Sequence, residues 1–127
     1  MELPSFTTPA LSRLTLALYC GASGDHNPMH VDIDFAQRGG VPDVFAHGML
    51  SMAWLGQLLT HWVPQQRLRE YGVRFVAITR VGEAITCSGQ VSELFEADGQ
   101  RFARLTLQTA NPAGQLKLTG DAVVALD

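Results

Sequence analysis

The sequence predicts an α+β fold in which an antiparallel β-sheet wraps around one long central apolar helix, and three observations lead there. Ala46 to Val63, AHGMLSMAWLGQLLTHWV, carries apolar residues on nearly every face at helical period, with Pro64 to stop it. Beyond it the apolar period changes to two, in YGVRFVAITR, EAITCSGQVSEL, QRFARLTLQTA and QLKLTGDAVVALD. At 127 residues the chain can bury one real core but not two, so a single domain over 1–127 is expected.

The elements follow in order. Leu3 to Thr7 supplies a first strand. Ser12 can cap a helix through RLTLALYCGA, which Gly21 or Gly24 ends. The stretch SGDHNPMH is then a loop, with a turn at Asn27-Pro28 because the proline ring pushes the preceding residue out of the α region. Asp32 or Asp34 caps a short helical turn, IDFAQRG, stopped at Gly39-Gly40. The central helix would be roughly 27 Å long. Being apolar all round, it is expected to be buried all round. The four later strands are separated by Val81-Gly82, EADG and NPAG, short turns that predict hairpins. A wholly apolar helix and long antiparallel strands satisfy each other when the sheet wraps the helix, which is the hot-dog architecture. The outer face keeps Val76 and Ile78, so self-association is expected.

Charge and composition remove several function classes. The net charge is -3 and the 9 basic residues are scattered, which supplies no footprint for nucleic acid. Cys20 and Cys87 lie far apart without redox or zinc spacing, and read as small buried residues of a reducing compartment. The apolar run Leu14 to Cys20 is too short for a membrane span. Glu2 stands where a signal peptide needs basic residues, and His47, Gln57 and His61 oppose a span in the central helix. A cytoplasmic protein without membrane contact is expected.

The chemistry concentrates in Ser23 to His30. Asp25 and His30 flank a proline turn, so their side chains can converge and activate one water, with Asn27 orienting it through a donor and an acceptor on one short side chain. The plainer alternative is that Asp25 and Asn27 only make turn bonds and His30 is a surface residue. A metal reading pairs His26 with His30 at i,i+4, but Asn27-Pro28 between them breaks the helical register. Gly48 at the start of the central helix leaves backbone N–H groups unpaired with the positive end of the helix dipole behind them, an arrangement suited to an oxyanion, or else it only permits close packing. His47 can cap or pack locally and is given no role.

The linked motifs SGDHNPMHVD and FAHGML resemble the signature of the MaoC-like, R-specific enoyl-CoA hydratases, or hydratase 2, over most of the chain from about Ser12. The resemblance implies the hot-dog fold and a place in fatty-acid metabolism. It also implies Asp25 and His30 as the catalytic pair, Asn27 as the water-orienting residue and the N–H of Gly48 as oxyanion donor. The implied reaction is reversible syn hydration of a trans-2-enoyl thioester to an (R)-3-hydroxyacyl thioester, with no metal or redox cofactor. The coenzyme A or acyl-carrier pantetheine is part of the substrate. Family tunnels are often completed by a neighbouring fold, so a homodimer is expected, or a mixed complex with a second hot-dog subunit. The segment before Leu11 is short for the family, which implies an abbreviated first strand or a more open tunnel.

Substrate contacts are expected from Met49 and Gly56 on the central helix, with Ala53, Met52 and Trp54 shaping the pocket beside them, although small residues in a buried helix also serve packing alone. Arg67, Arg69, Arg74 and Arg80 are candidates for nucleotide phosphates. Two rivals share the fold. Hot-dog thioesterases, and dehydratases of the fatty-acid-synthase type, place a carboxylate on the central helix, and Ala46 to Val63 has no Asp or Glu. A non-enzymatic acyl-thioester-binding subunit would be expected to have lost the Asp/His pair, which here is intact.

Overall fold

The computed structural model describes residues 1–126. In chain order it contains β1 (Phe6–Thr7), α1 (Arg13–Ser23), a 3-10 turn (Pro28–His30), α2 (Ile33–Arg38), α3 (Gly48–Trp62) and a second 3-10 turn (Gln65–Arg67). Four strands follow: β2 (Leu68–Phe75), β3 (Thr86–Ala97), β4 (Gln100–Ala110) and β5 (Leu116–Ala125). The expected end of the last strand, Asp127, lies outside the described residues.

Local chemistry sets the helix limits. The Ser12 hydroxyl accepts the Thr15 N–H at 3.1 Å. Gly24 closes α1 at φ 78°, the left-handed region that suits glycine, and its N–H returns to the Cys20 carbonyl. Asp32 caps α2 through the Phe35 N–H at 3.2 Å. Among the described residues no helix is long and apolar enough to cross a membrane.

The five strands form one antiparallel sheet in the order β1-β3-β4-β5-β2. Its concave face receives Leu55, Leu58 and Leu59 of α3 against Ile85, Cys87, Leu105, Leu107, Leu118 and Val124. This is the expected hot-dog layout. A second apolar cluster, Leu11, Leu16, Ala36, Val44, Ala46 and Leu50, lies between α1, α2 and the start of α3.

Three expectations need correction. First, α3 is not buried all round: Met49, Ala53, Gln57 and Thr60, one face by helical spacing, are exposed. The sheet covers one side of the helix and the α1/α2 layer covers only its beginning. Second, β2 and β3 do not make a hairpin; β2 pairs with β5 at the far edge of the sheet, and residues 76–85 cross between them. Third, β2 stops at Phe75 instead of Arg80, so Val76 and Ile78 belong to this crossing segment and not to a sheet face. The ladder ends because the N–H groups of Val76 and Ala77 both turn to one carbonyl, that of Lys117, at 2.9 and 3.2 Å.

Lys117 also holds the crossing segment with its side chain. The ammonium, 2% exposed, donates to the Ile78 carbonyl at 2.8 Å and to Gln115 Oε1 at 3.1 Å, and it meets Glu83 Oε1 at 3.0 Å. Glu83 accepts in turn from the Arg80 N–H and from Asn111 Nδ2, each at 2.7 Å. Burial on its own would raise the Glu83 pKa, but these donors outweigh it and hold the carboxyl below its ordinary value.

Removing one member of a buried pair strands the other charge. Lys117→Met is therefore expected to cost about 3–5 kcal/mol, and Lys117→Met with Glu83→Gln less than that, measured by urea denaturation. Because the folded-state pKa of Glu83 is depressed, its stabilisation is complete above the unfolded value of about 4.3 and fades as pH falls through the folded value. Denaturation midpoints in Glu83→Gln should lose part of that acid dependence.

Candidate active site

The polar loop is built from local turns. Ser23 Oγ accepts the Asp25 N–H at 3.1 Å, Asp25 Oδ1 accepts the Asn27 N–H at 3.2 Å, and Asn27 Oδ1 accepts the Met29 N–H at 3.1 Å. Pro28 then begins the 3-10 turn that carries His30 inward. Asp25 and Asn27 stay exposed, whereas His30 is buried.

His30 has a defined tautomer. Its Nδ1 lies 2.8 Å from the Phe45 carbonyl, which can only accept, so Nδ1 carries the proton and Nε2 is left with a free lone pair. An imidazole oriented in this way is ready to take a proton. The Phe45 ring meets it edge-on at 5.2 Å.

His47, between the loop and α3, joins this group. Its ring stacks on His30 with centroids 3.9 Å apart and planes 25° apart, and its Nε2 lies 3.1 Å from the Asp25 carbonyl. Burial, the leading cause, pushes its pKa below the ordinary value, and the neighbouring His30 adds to that, while the hydrogen bond to Asp25 opposes it.

Gly48 opens α3. The His47 carbonyl accepts from Leu50 and Ser51 at 3.1 and 3.3 Å, leaving the N–H groups of Gly48 and Met49 without a backbone acceptor among the described residues, at the positive end of the helix dipole. Beside them is a cleft of about 260 Å³, walled by His30, Gly48, Ser51, Phe75, Ile78 and Thr79 among others. Its back is the segment that Lys117 tethers.

The sequence-predicted residues therefore divide. His30 and Gly48 share the cleft. Asp25 is not one of its walls but stays close to His30: a carboxylate oxygen of Asp25 and one ring nitrogen each of His30 and His47 lie within 4.8 Å of one another. Asn27 has committed its oxygen to Met29, which leaves its NH2 as the group that can hold another partner. Met49 points to solvent, 58% exposed, and Gly56 lies against the Tyr71 ring, whose hydroxyl donates to the Met52 carbonyl at 2.6 Å. Arg67 and Arg69 reach the carbonyls of Leu126 and Gln66, beyond the other end of α3.

Sequence reasoning gave His47 no role, and only its place beside Gly48 could have marked it. A metal is poorly served by the cluster. An imidazole binds a metal in its own ring plane, and two stacked, nearly parallel planes do not meet at one ion. His26, the other residue of the metal reading, is not in the cluster.

The MaoC like domain family model matches residues 4–111. The (R)-specific enoyl-CoA hydratase of Aeromonas caviae is 31% identical over 113 residues, 87% of this chain and 83% of that protein. Fatty acid synthase subunit beta of Saccharomyces cerevisiae is 29% identical over 109 residues, 84% of this chain but 5% of that much longer protein. Among solved structures, an A. caviae (R)-hydratase involved in PHA biosynthesis superposes with a TM-score of 0.86 at 26% identity, covering 100% of this chain and 95% of that one.

One contact of the site can be tested by stability alone. A Cβ at Gly48 would stand 2.9 Å from Phe75 Cε1, but that ring is 55% exposed and can swing outward. Gly48→Ala should stay folded, losing about 1 kcal/mol or less, and should cost less in a Phe75→Leu background. Urea midpoints of the four chains in this double-mutant cycle measure the coupling, and strictly additive effects would contradict it.

Proposed function

Since the chain belongs to the MaoC-like domain family, we propose that it adds water reversibly to trans-2-enoyl thioesters of coenzyme A or an acyl carrier, giving (R)-3-hydroxyacyl thioesters. At the level of reaction class it is a hydratase/dehydratase. The observation that carries the finer reading is a single one: His30, whose Nε2 is left free, and Gly48, whose N–H has no backbone acceptor among the described residues, line the same cleft.

In this reading the thioester carbonyl accepts from the Gly48 N–H, which draws electron density from C3. Water at the cleft edge gives a proton to His30 Nε2 as its oxygen bonds to C3. Asp25 and the NH2 of Asn27 hold that water. The π electrons of C2=C3 move toward the carbonyl, and the resulting enolate is stabilised by the helix N-terminus. C2 then takes a proton from the Asp25–His30 pair on the same face, which makes the addition syn. The chemistry calls for no metal or redox cofactor.

The exposed Phe75, Val76 and Ile78 border the cleft and the β2 edge is unpaired, which favours a homodimer, or a complex with a second hot-dog subunit, that covers the mouth. Sedimentation equilibrium of the purified chain should give twice the monomer mass. A monomer at micromolar concentration would point to a different subunit as the cover.

Loss of crotonyl-CoA and of longer 2-enoyl-CoAs, followed by ultraviolet absorbance, tests the reaction, and chiral chromatography of the product tests its hand. Asp25→Asn and His30→Gln should each lower kcat by about 10²-fold or more while circular dichroism reports a folded chain. Undiminished turnover in both folded variants would refute the assignment.

A further inference from the structure

The mechanism above gives no task to the buried imidazole that touches both Asp25 and His30. His47 is 1% exposed and sits immediately before Gly48, yet its side chain does not cap α3. Its Nε2 lies 3.1 Å from the Asp25 carbonyl and 3.5 Å from Cys20 Sγ, the Tyr19 ring meets it edge-on at 4.7 Å, and the His30 ring stacks on it.

These partners define its protonation. A carbonyl only accepts, so Nε2 carries the hydrogen, and Nδ1 is a bare acceptor, buried with no hydrogen-bond partner. A polar atom stranded in this way loses its hydration with nothing in return. An apolar ring of similar shape would fill the space without that cost. What the imidazole adds over such a ring is the N–H that grips Asp25. A charged His47 would face His30 across the stack, with only the Asp25 loop to compensate, Cys20 Sγ beside the same nitrogen and the Tyr19 ring edge-on. Its lowered pKa agrees with a ring that stays neutral.

We propose that His47 is a positioning residue for the hydration reaction: as a neutral imidazole it clamps the Asp25 backbone and sets the plane of His30, so that the acid–base pair keeps a fixed distance from the N-terminus of α3. One ring thereby joins the loop and the base, both within Ser23 to His30, to the oxyanion donor at the start of α3. The role rests on the hydration reading, but the clamp itself is observable without turnover.

Two variants separate the contributions. His47→Phe keeps a ring on His30 and removes the N–H; His47→Gln keeps a donor of similar reach and removes the ring. In His47→Phe, kcat should fall by about 10²-fold, the cost of a displacement of about 1 Å, with KM little changed, and His47→Gln should recover part of the loss. Circular dichroism melts establish that both are folded. Nitrogen-15 NMR of the wild-type imidazoles should find His47 as the Nε2–H tautomer and His30 as the Nδ1–H tautomer, with His47 titrating below the ordinary histidine value of about 6.5. A folded His47→Phe with wild-type kcat, or a His47 that carries its proton on Nδ1 or titrates in the ordinary range, would overturn the proposal. If the substitutions prevent folding, the NMR result decides. A wild type inactive on every enoyl thioester would instead defeat the hydration reading, and the NMR would still judge the clamp on its own.

Discussion

The arrangement depends on one apolar contact, the seating of the α3 leucine stripe in the hollow of the sheet. Leu55, Leu58 and Leu59 are almost completely removed from solvent. Burying each contributes about 1.5–3 kcal/mol, more than any hydrogen bond in the polar loop supplies. That contact fixes the axis of α3, and the axis fixes where its first N–H groups point. The catalytic chemistry therefore sits at the end of the helix, where backbone donors are unsatisfied by geometry and no polar side chain has to enter the core.

Around this hydrophobic frame, two buried polar contacts set finer positions. Lys117 and Glu83 tie the crossing segment that walls the cleft, and His47 ties the loop to the helix. Neither is the most stabilising solution, since ion pairs and unpaired nitrogens give up desolvation energy that an apolar side chain would keep. Both fix the direction of single bonds at the site, a finer setting than the helix axis that the apolar contact supplies. The one buried thiol beside the α3 seat, Cys87, is pushed up to about 12 by burial and behaves as a small apolar residue.

What was legible in the sequence was what local chemistry decides. Ser12, Gly24 and Asp32 set helix ends through bonds to neighbours three or four residues away, and the two-residue period of Gln100 to Ala110 matches β4 at both limits. The polar loop was legible as turns for the same reason. What was not legible depends on distant chain. Nothing near Phe75 announces that Lys117 will take the next two N–H groups, and an apolar helix does not say which of its sides will be covered. The hairpin expected between β2 and β3 failed because residues 76–85 carry the chain from the β2 edge past β5 and β4 to β3, the strand beside β1. His47 was passed over because its partners, Tyr19, Cys20, Asp25 and His30, meet it only after α1 and the loop fold over the start of α3.

The two borders of the sheet are unlike, and this limits what the sheet can grow into. On one side the chain 1–8 runs beside β3, and Pro4 interrupts it, presenting no amide hydrogen at that point to an approaching strand. On the other side, β2 offers eight residues without a proline. A molecule with a single strand-accepting border can join a like border on another copy, and each border is then consumed. Extension along the hydrogen-bonding direction stops at two, so this topology excludes the endless ribbon that two receptive borders would permit.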